Sequence, residues 1–202
     1  MNPLLSIWLK PRETIRQLSE AEPSRPVMVG LAVLVGLTQV FNQAVGNSVG
    51  AGKTLPVVLL AILLVGPAVG LVWLYLGGAV LQWAGGQFGG QGTVGQYRGV
   101  MVWTALPLIA TILLFVPEVR LFGLALFVNP AGIVEAGDSL SMAFFLFGWA
   151  EFILAVWTFV LLVLGIAQVS RVSLWLAIVL SIVPTYIGST TASIVVSVVG
   201  LL

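Results

Sequence analysis

Between Leu55 and Ala84 the chain runs for thirty residues without one charged side chain. A helix needs about 20 apolar residues to cross a bilayer. This stretch is longer, so it predicts a tilted or kinked span, with Pro67 as the place for the kink. The remainder has the same character. Of 202 residues 59% are apolar and 7% charged, and mean hydropathy is +1.14. A soluble domain carries roughly a quarter charged residues, and it needs them to stay in solution. Disorder needs low hydrophobicity and high charge. The composition therefore predicts an all-α integral membrane protein.

Four more stretches are long enough to span. They are about 27–46, which follows Pro26; about 99–116, which ends at Pro117; 148–168, the most apolar part of 141–168; and about 174–199. With 55–84 they make a five-span membrane domain over 27–202, preceded by a short amphipathic head over 1–26. Leu121–Val128 is too short to cross and predicts an interfacial or re-entrant piece.

Seven of the fifteen charges fall in the head: Lys10, Arg12, Glu13, Arg16, Glu20, Glu22 and Arg25. Short cytoplasmic loops carry an excess of Lys and Arg. A cytoplasmic N-terminus puts Lys10, Arg12, Arg16, Arg25, Arg98 and Arg171 inside, and only Lys53 and Arg120 outside. Five spans then place the C-terminus outside, together with the loop acids Glu118, Glu135 and Asp138. The head does not read as a secretory signal, because its short apolar run precedes its charges.

Composition also narrows the chemistry. There is no cysteine and no histidine. Thiolate metal sites, disulfides, cysteine nucleophiles and the commonest general base are thereby excluded. No nucleophile–base pair or metal cluster can be assembled from the acids, so neither an enzyme nor a cofactor is expected. A net charge of +1 does not supply the clustered basic surface that nucleic acid requires.

In the head, Trp8 suits a bilayer interface and Pro11 the first turn of a helix. Ile15 and Leu18 lie three apart on one helical face, and Arg12 and Arg16 lie four apart on another. The pattern predicts a helix on the cytoplasmic membrane surface. It would anchor the first span, or present Trp8, Arg12 and Arg16 as a docking surface.

This opening, NPLLSIWLKPRETIRQL over residues 2–18, resembles that of the Yip (Ypt-interacting protein) domain family in its bacterial form. The likeness continues in WAGGQFGGQGTVGQYRGVMVWTALP from Trp83 to Pro107, with a Gly-rich loop, an aromatic–basic pair and a Leu-Pro inside a span. It returns in WTFVLLVLGIAQVSRVSLWLA from Trp157 to Ala177. The resemblance implies a five-span membrane fold with a cytoplasmic N-terminus. Eukaryotic relatives are linked to Rab-type GTPases. This sequence lacks their long N-terminal extension and their Asp-Leu-Tyr-Gly-Pro signature, so a Rab-type GTPase is not an expected partner. Membrane lipid, other membrane proteins and further copies of the chain are. The short head and the bacterial form point to a bacterial cytoplasmic (inner) membrane.

Four features are candidates for function. Gly90-Gln91-Gly92-Thr93-Val94-Gly95 spells a dinucleotide-binding pattern, but it sits between membrane spans and not in a βαβ unit. It predicts a tight, flexible turn. Gln39, Asn42 and Gln43 share one face of the first span, where such side chains bond to neighbouring helices or line a polar cavity. Glu151 is the acid that can fall inside the bilayer, where a charge costs about 2.5–3.5 kcal/mol. A span starting at Ser141 puts it at mid-depth, and one starting at Gly148 puts it at the outer interface; Trp149 favours the interface. Small residues recur every fourth position at Gly66 and Gly70, and at Thr185, Ser189, Ser193 and Ser197, as in closely packed membrane helices. These features predict a non-catalytic organiser or scaffold for membrane proteins or lipids. A small transporter or channel is the alternative, supported by Pro67, Pro107 and Pro184 inside three spans.

Overall fold

Proline and glycine mark where the helices begin and end. The computed structural model describes residues 6–8, 11–20, 24–135, 137 and 139–200. Lys10, Glu22, Pro23 and Asp138, and the side chain of Leu18, lie outside the described residues. Helix α1 is Pro11–Glu20, preceded by one helical turn at residues 6–8. Helix α2, Arg25–Gly46, opens with Pro26 in its first turn. Helix α3, Leu55–Gln87, opens with Pro56 and continues through Pro67. A broken rod follows: α4 Val94–Thr104, α5 Leu106–Ala110 and α6 Ile112–Phe122. Two short pieces, α7 Ala125–Val128 and α8 Pro130–Glu135, lead to α9 Ser139–Ser170 and α10 Leu174–Gly200.

Among the described residues there is no strand, and five helices are long and apolar enough to cross a membrane: α2, α3, the α4–α6 rod, α9 and α10. The protein is an all-α integral membrane protein with five transmembrane helices. The helices alternate in direction, so Arg25, Arg98 and Arg171 share one end, which we call the basic end. Lys53 and Arg120 mark the far end.

The rod shows why proline did not end the third span. Pro107 lacks the N–H that would continue α4, and the helix breaks two residues earlier at Ala105. Thr104 Oγ1 donates to Val100 O at 2.8 Å, within the last turn before the break. A second break follows at Thr111, whose Oγ1 donates to Leu108 O at 2.6 Å. Pro117, expected to close the span, lies within α6, which runs on to Phe122 and stops at Gly123 with φ +56. Membrane helices tolerate internal proline because neighbours and hydroxyls satisfy the freed groups.

The closest helix pair is α2 with α3. A Cβ on Gly36 would collide with the backbone of Gly66 and Gly70, and one on Gly70 with Ala32 O. Glycine lets the two backbones meet, which is how membrane helices gain contact when lipid removes the hydrophobic drive. At the far end an aromatic cluster takes over. Phe41 stacks on Phe115 with centroids 3.7 Å apart and meets Phe127 edge-on at 5.3 Å. Gly50 N donates to Phe127 O at 2.7 Å, tying the α2–α3 loop to α7. The short piece expected at 121–128 is thus divided: its first two residues extend α6, and Leu126 and Phe127 are buried plugs.

Candidate functional site

Four features of the sequence find their places in this frame. The first is the Gly-rich loop. Gly90 N donates to Gly85 O at 2.9 Å, and Gly89 has φ +76, so the loop caps α3. Thr93 and Gln96 form a reciprocal cap on α4: Gln96 N donates to Thr93 Oγ1 at 3.2 Å, and Thr93 N donates to Gln96 Oε1 at 2.9 Å. A Cβ on Gly85 or Gly92 would strike the Tyr97 ring, whose Oη shares a 2.7 Å hydrogen bond with Ser170 Oγ. The glycines therefore seat this tight turn on Tyr97 and α9. The G-x-G-x-x-G spelling is a by-product of cap and close approach, with no strand beside it.

The second is the head. Ile7 and Ile15 are buried against Leu106 and Leu161, with Trp103, Trp157 and Leu164 around them. Trp8 lies beside Ile153, Val156 and Trp157 of α9. Arg12, Glu13, Arg16 and Gln17 are exposed. The amphipathic split follows the spacing read from the sequence, and the apolar face is spent on α4, α5 and α9.

The third is the polar face of α2. Gln39, Asn42 and Gln43 line a cleft of about 380 Å³ together with residues of α3, α4, α9 and α10. Its inner wall is Trp73, Met101, Thr104 and Leu162, all buried. Thr158 and Phe159 stand on the α9 side, and Thr185 and Ser189 on the α10 side. Asn42, Ala155, Thr185 and Ser189 are exposed, so the cleft opens sideways between α9 and α10. Those helices pack through Leu162, Val163, Ile166, Ala177 and Leu180 near the basic end and part beyond it. Gln39 Oε1 and Thr158 Oγ1 are fully buried without a hydrogen-bond partner. An unpaired buried polar group costs about 1–3 kcal/mol, so these two atoms need an explanation. Thr185 and Ser189 come from the small-residue stripe of α10; Ser197 Oγ merely donates to Ser193 O at 2.8 Å.

The fourth is Glu151. Helix α9 starts at Ser139, so Glu151 stands twelve residues inside it, about 18 Å along the axis. Its Oε1 is buried and without a partner. Trp149 is exposed and meets Phe152 edge-on at 5.8 Å. Glu151, Ala155, Thr158 and Leu162 form one stripe of α9, so the acid continues the cleft lining by one turn. Glu118 was expected in an outer loop, and this is corrected: it lies in α6, is 6% exposed, and is within electrostatic reach of Glu151. The sequence reading missed Glu118, Thr158, Trp73 and Phe159. A signal for Glu118 was present, since Ile112–Val116 before it is wholly apolar.

A five-helix bundle with a polar lateral cleft and two inward acids defines a class: a multi-pass α-helical membrane protein. Residues 5–195, nearly the whole chain, match the Yip1 domain, and the chain belongs to that family. No curated protein and no solved structure matches it.

Proposed function

We propose that this chain is a non-catalytic organiser of membrane proteins or lipids, set in a bacterial inner membrane with its N-terminus in the cytoplasm. Six Lys and Arg on the N-terminal side against two on the other support the orientation. The observation that carries the organising role is the head. Its apolar residues are spent on the bundle, and Arg12, Arg16 and Gln17 face outward. A helix already held in place presents a face to a partner without the cost of ordering a free segment.

The test is photo-crosslinking from position 17 in intact membranes, with mass spectrometry of the products. The same partners should be captured repeatedly from the wild type and lost from Arg12→Glu/Arg16→Glu at unchanged protein level. Identical captures from both would remove the docking role. A second reading, a small transporter for a lipid or solute, is favoured by the cleft and its unpaired atoms. Flux into liposomes at the empty-vesicle rate for every solute and lipid probe would count against it.

A further inference from the structure

We propose that the cleft between α9 and α10 is a binding site for an organic ammonium group, carried by a lipid headgroup or by a free small amine. The proposal concerns occupancy and stands whether or not the ligand is moved or organised.

Size comes first. Small-molecule pockets run from about 300 to 1,000 Å³ and combine apolar walls with a few convergent polar groups. The cleft, at about 380 Å³, fits a headgroup-sized ligand and not a folded partner. Its mouth lies between two membrane helices, so a lipid reaches it sideways without leaving the bilayer.

Charge selects the ligand's sign. Among the described residues that line the cleft none is charged. The charges that continue its α9 stripe are acids: Glu151 one turn beyond Ala155, and Glu118 of α6 within electrostatic reach of it. Two carboxyl groups that interact away from water can carry a shared negative charge, which favours a cationic group there over an anionic one.

Hydrogen bonding then narrows the cation. An ammonium group has donors and no acceptor. It needs oxygen acceptors, and the cleft holds Gln39 Oε1 and Thr158 Oγ1, both buried and unpartnered, on facing helices. Gln39 is held in place: a Cβ on Gly188 would touch its amide, so its side chain lies flat against α10. The aromatic rings of Trp73 and Phe159 in the same lining favour an organic cation over a bare metal ion. Amide oxygen, hydroxyl, aromatic ring and carboxylate together make an ammonium site.

The protein is purified with phosphatidylglycerol as its only lipid and titrated with short-chain phosphatidylethanolamine, short-chain phosphatidylglycerol and ethanolamine, read by native mass spectrometry and thermal shift. The ethanolamine lipid should bind at least tenfold tighter than the glycerol lipid of equal chain length. If ethanolamine alone competes at comparable concentration, the free amine is the source; if it does not, the lipid is. Either result supports the ammonium site. Equal binding of the two lipids, or binding of none of the three, overturns it. Glu151→Gln and Gln39→Leu should each weaken the preference at least tenfold. Preference retained in both would also overturn the proposal. The wild-type competition decides the matter even where a variant fails to fold.

Discussion

The two ends of the bundle spend their polar groups differently. Near the basic end, Tyr97 and Ser170 bond to each other, Gly85, Gly90 and Gly92 seat a loop on them, and Arg98 Nη2 donates to Tyr75 O at 3.4 Å with its guanidinium 4.7 Å from the Tyr75 ring. Toward the far end, α9 and α10 part, and Gln39, Thr158 and Glu151 keep buried oxygens without partners. Most polar groups in the first region hold helices together, although Arg98 Nε is also buried there without a partner. Polar groups in the second destabilise the bundle unless something fills the gap. Three unpaired oxygens gathered along the cleft and the α9 stripe that continues it conflict with stability, and such a conflict marks a site kept for another purpose.

Substitutions in each region test the contrast. The largest effect is expected from Phe127→Ala, which removes a wholly buried ring from the aromatic plug and should cost about 3–5 kcal/mol. Thermal unfolding in detergent measures it, and a small change would mean the far end is not packed as described. Gly36→Val should cost about 1–3 kcal/mol or more, because the added atoms meet the α3 backbone, which cannot turn aside. Yield of monodisperse protein by size exclusion follows the loss. Tyr97→Phe removes one buried hydrogen bond and leaves the Ser170 hydroxyl unpaired, at about 1–2 kcal/mol. Gln39→Leu gives the smallest stability effect: it removes an amide oxygen that has no partner, so the melting temperature should hold or rise slightly. If Gln39→Leu destabilised as much as Tyr97→Phe, the contrast between the two regions would fail.

Much of the bundle was legible because a bilayer imposes a minimum apolar length. Leu55–Ala84 and 174–199 announced themselves by hydropathy. The extra turns beyond it were not legible: α9 begins at Ser139, where apolar density is no guide to whether a helix continues. Pro117 misled for the opposite reason. A proline often closes a helix, but membrane helices tolerate one inside; α6 runs on through Pro117 to Phe122, and Glu118 is carried into the bundle. The close approach of α2 and α3 was half visible. Gly66 and Gly70 have the spacing of a packing motif, but Gly36 opposite them became meaningful only once the helices were paired.

The cleft was visible from one side only. Gln39, Asn42 and Gln43 share a helical face by their spacing, yet that spacing serves equally for bonding to a neighbour and for lining a gap. What decides is that Thr158, 115 residues beyond Gln43, arrives opposite without bonding to any of them. The head was similar: Ile15 and Arg12 separate onto two faces in sequence, and the choice of α9 as the surface for Ile7 and Trp8 is tertiary.

The chain has no cysteine, so single cysteines can be introduced one at a time. The direct measurement is the rate at which a bilayer-soluble maleimide labels Thr158→Cys, on the cleft wall, beside Val163→Cys, buried in the packed half of α9. An open polar cleft predicts rapid labelling at 158, slowed by ethanolamine or by short-chain phosphatidylethanolamine, and none at 163. Labelling at 158 as slow as at 163 would contradict the account, because the two regions would then be equally closed.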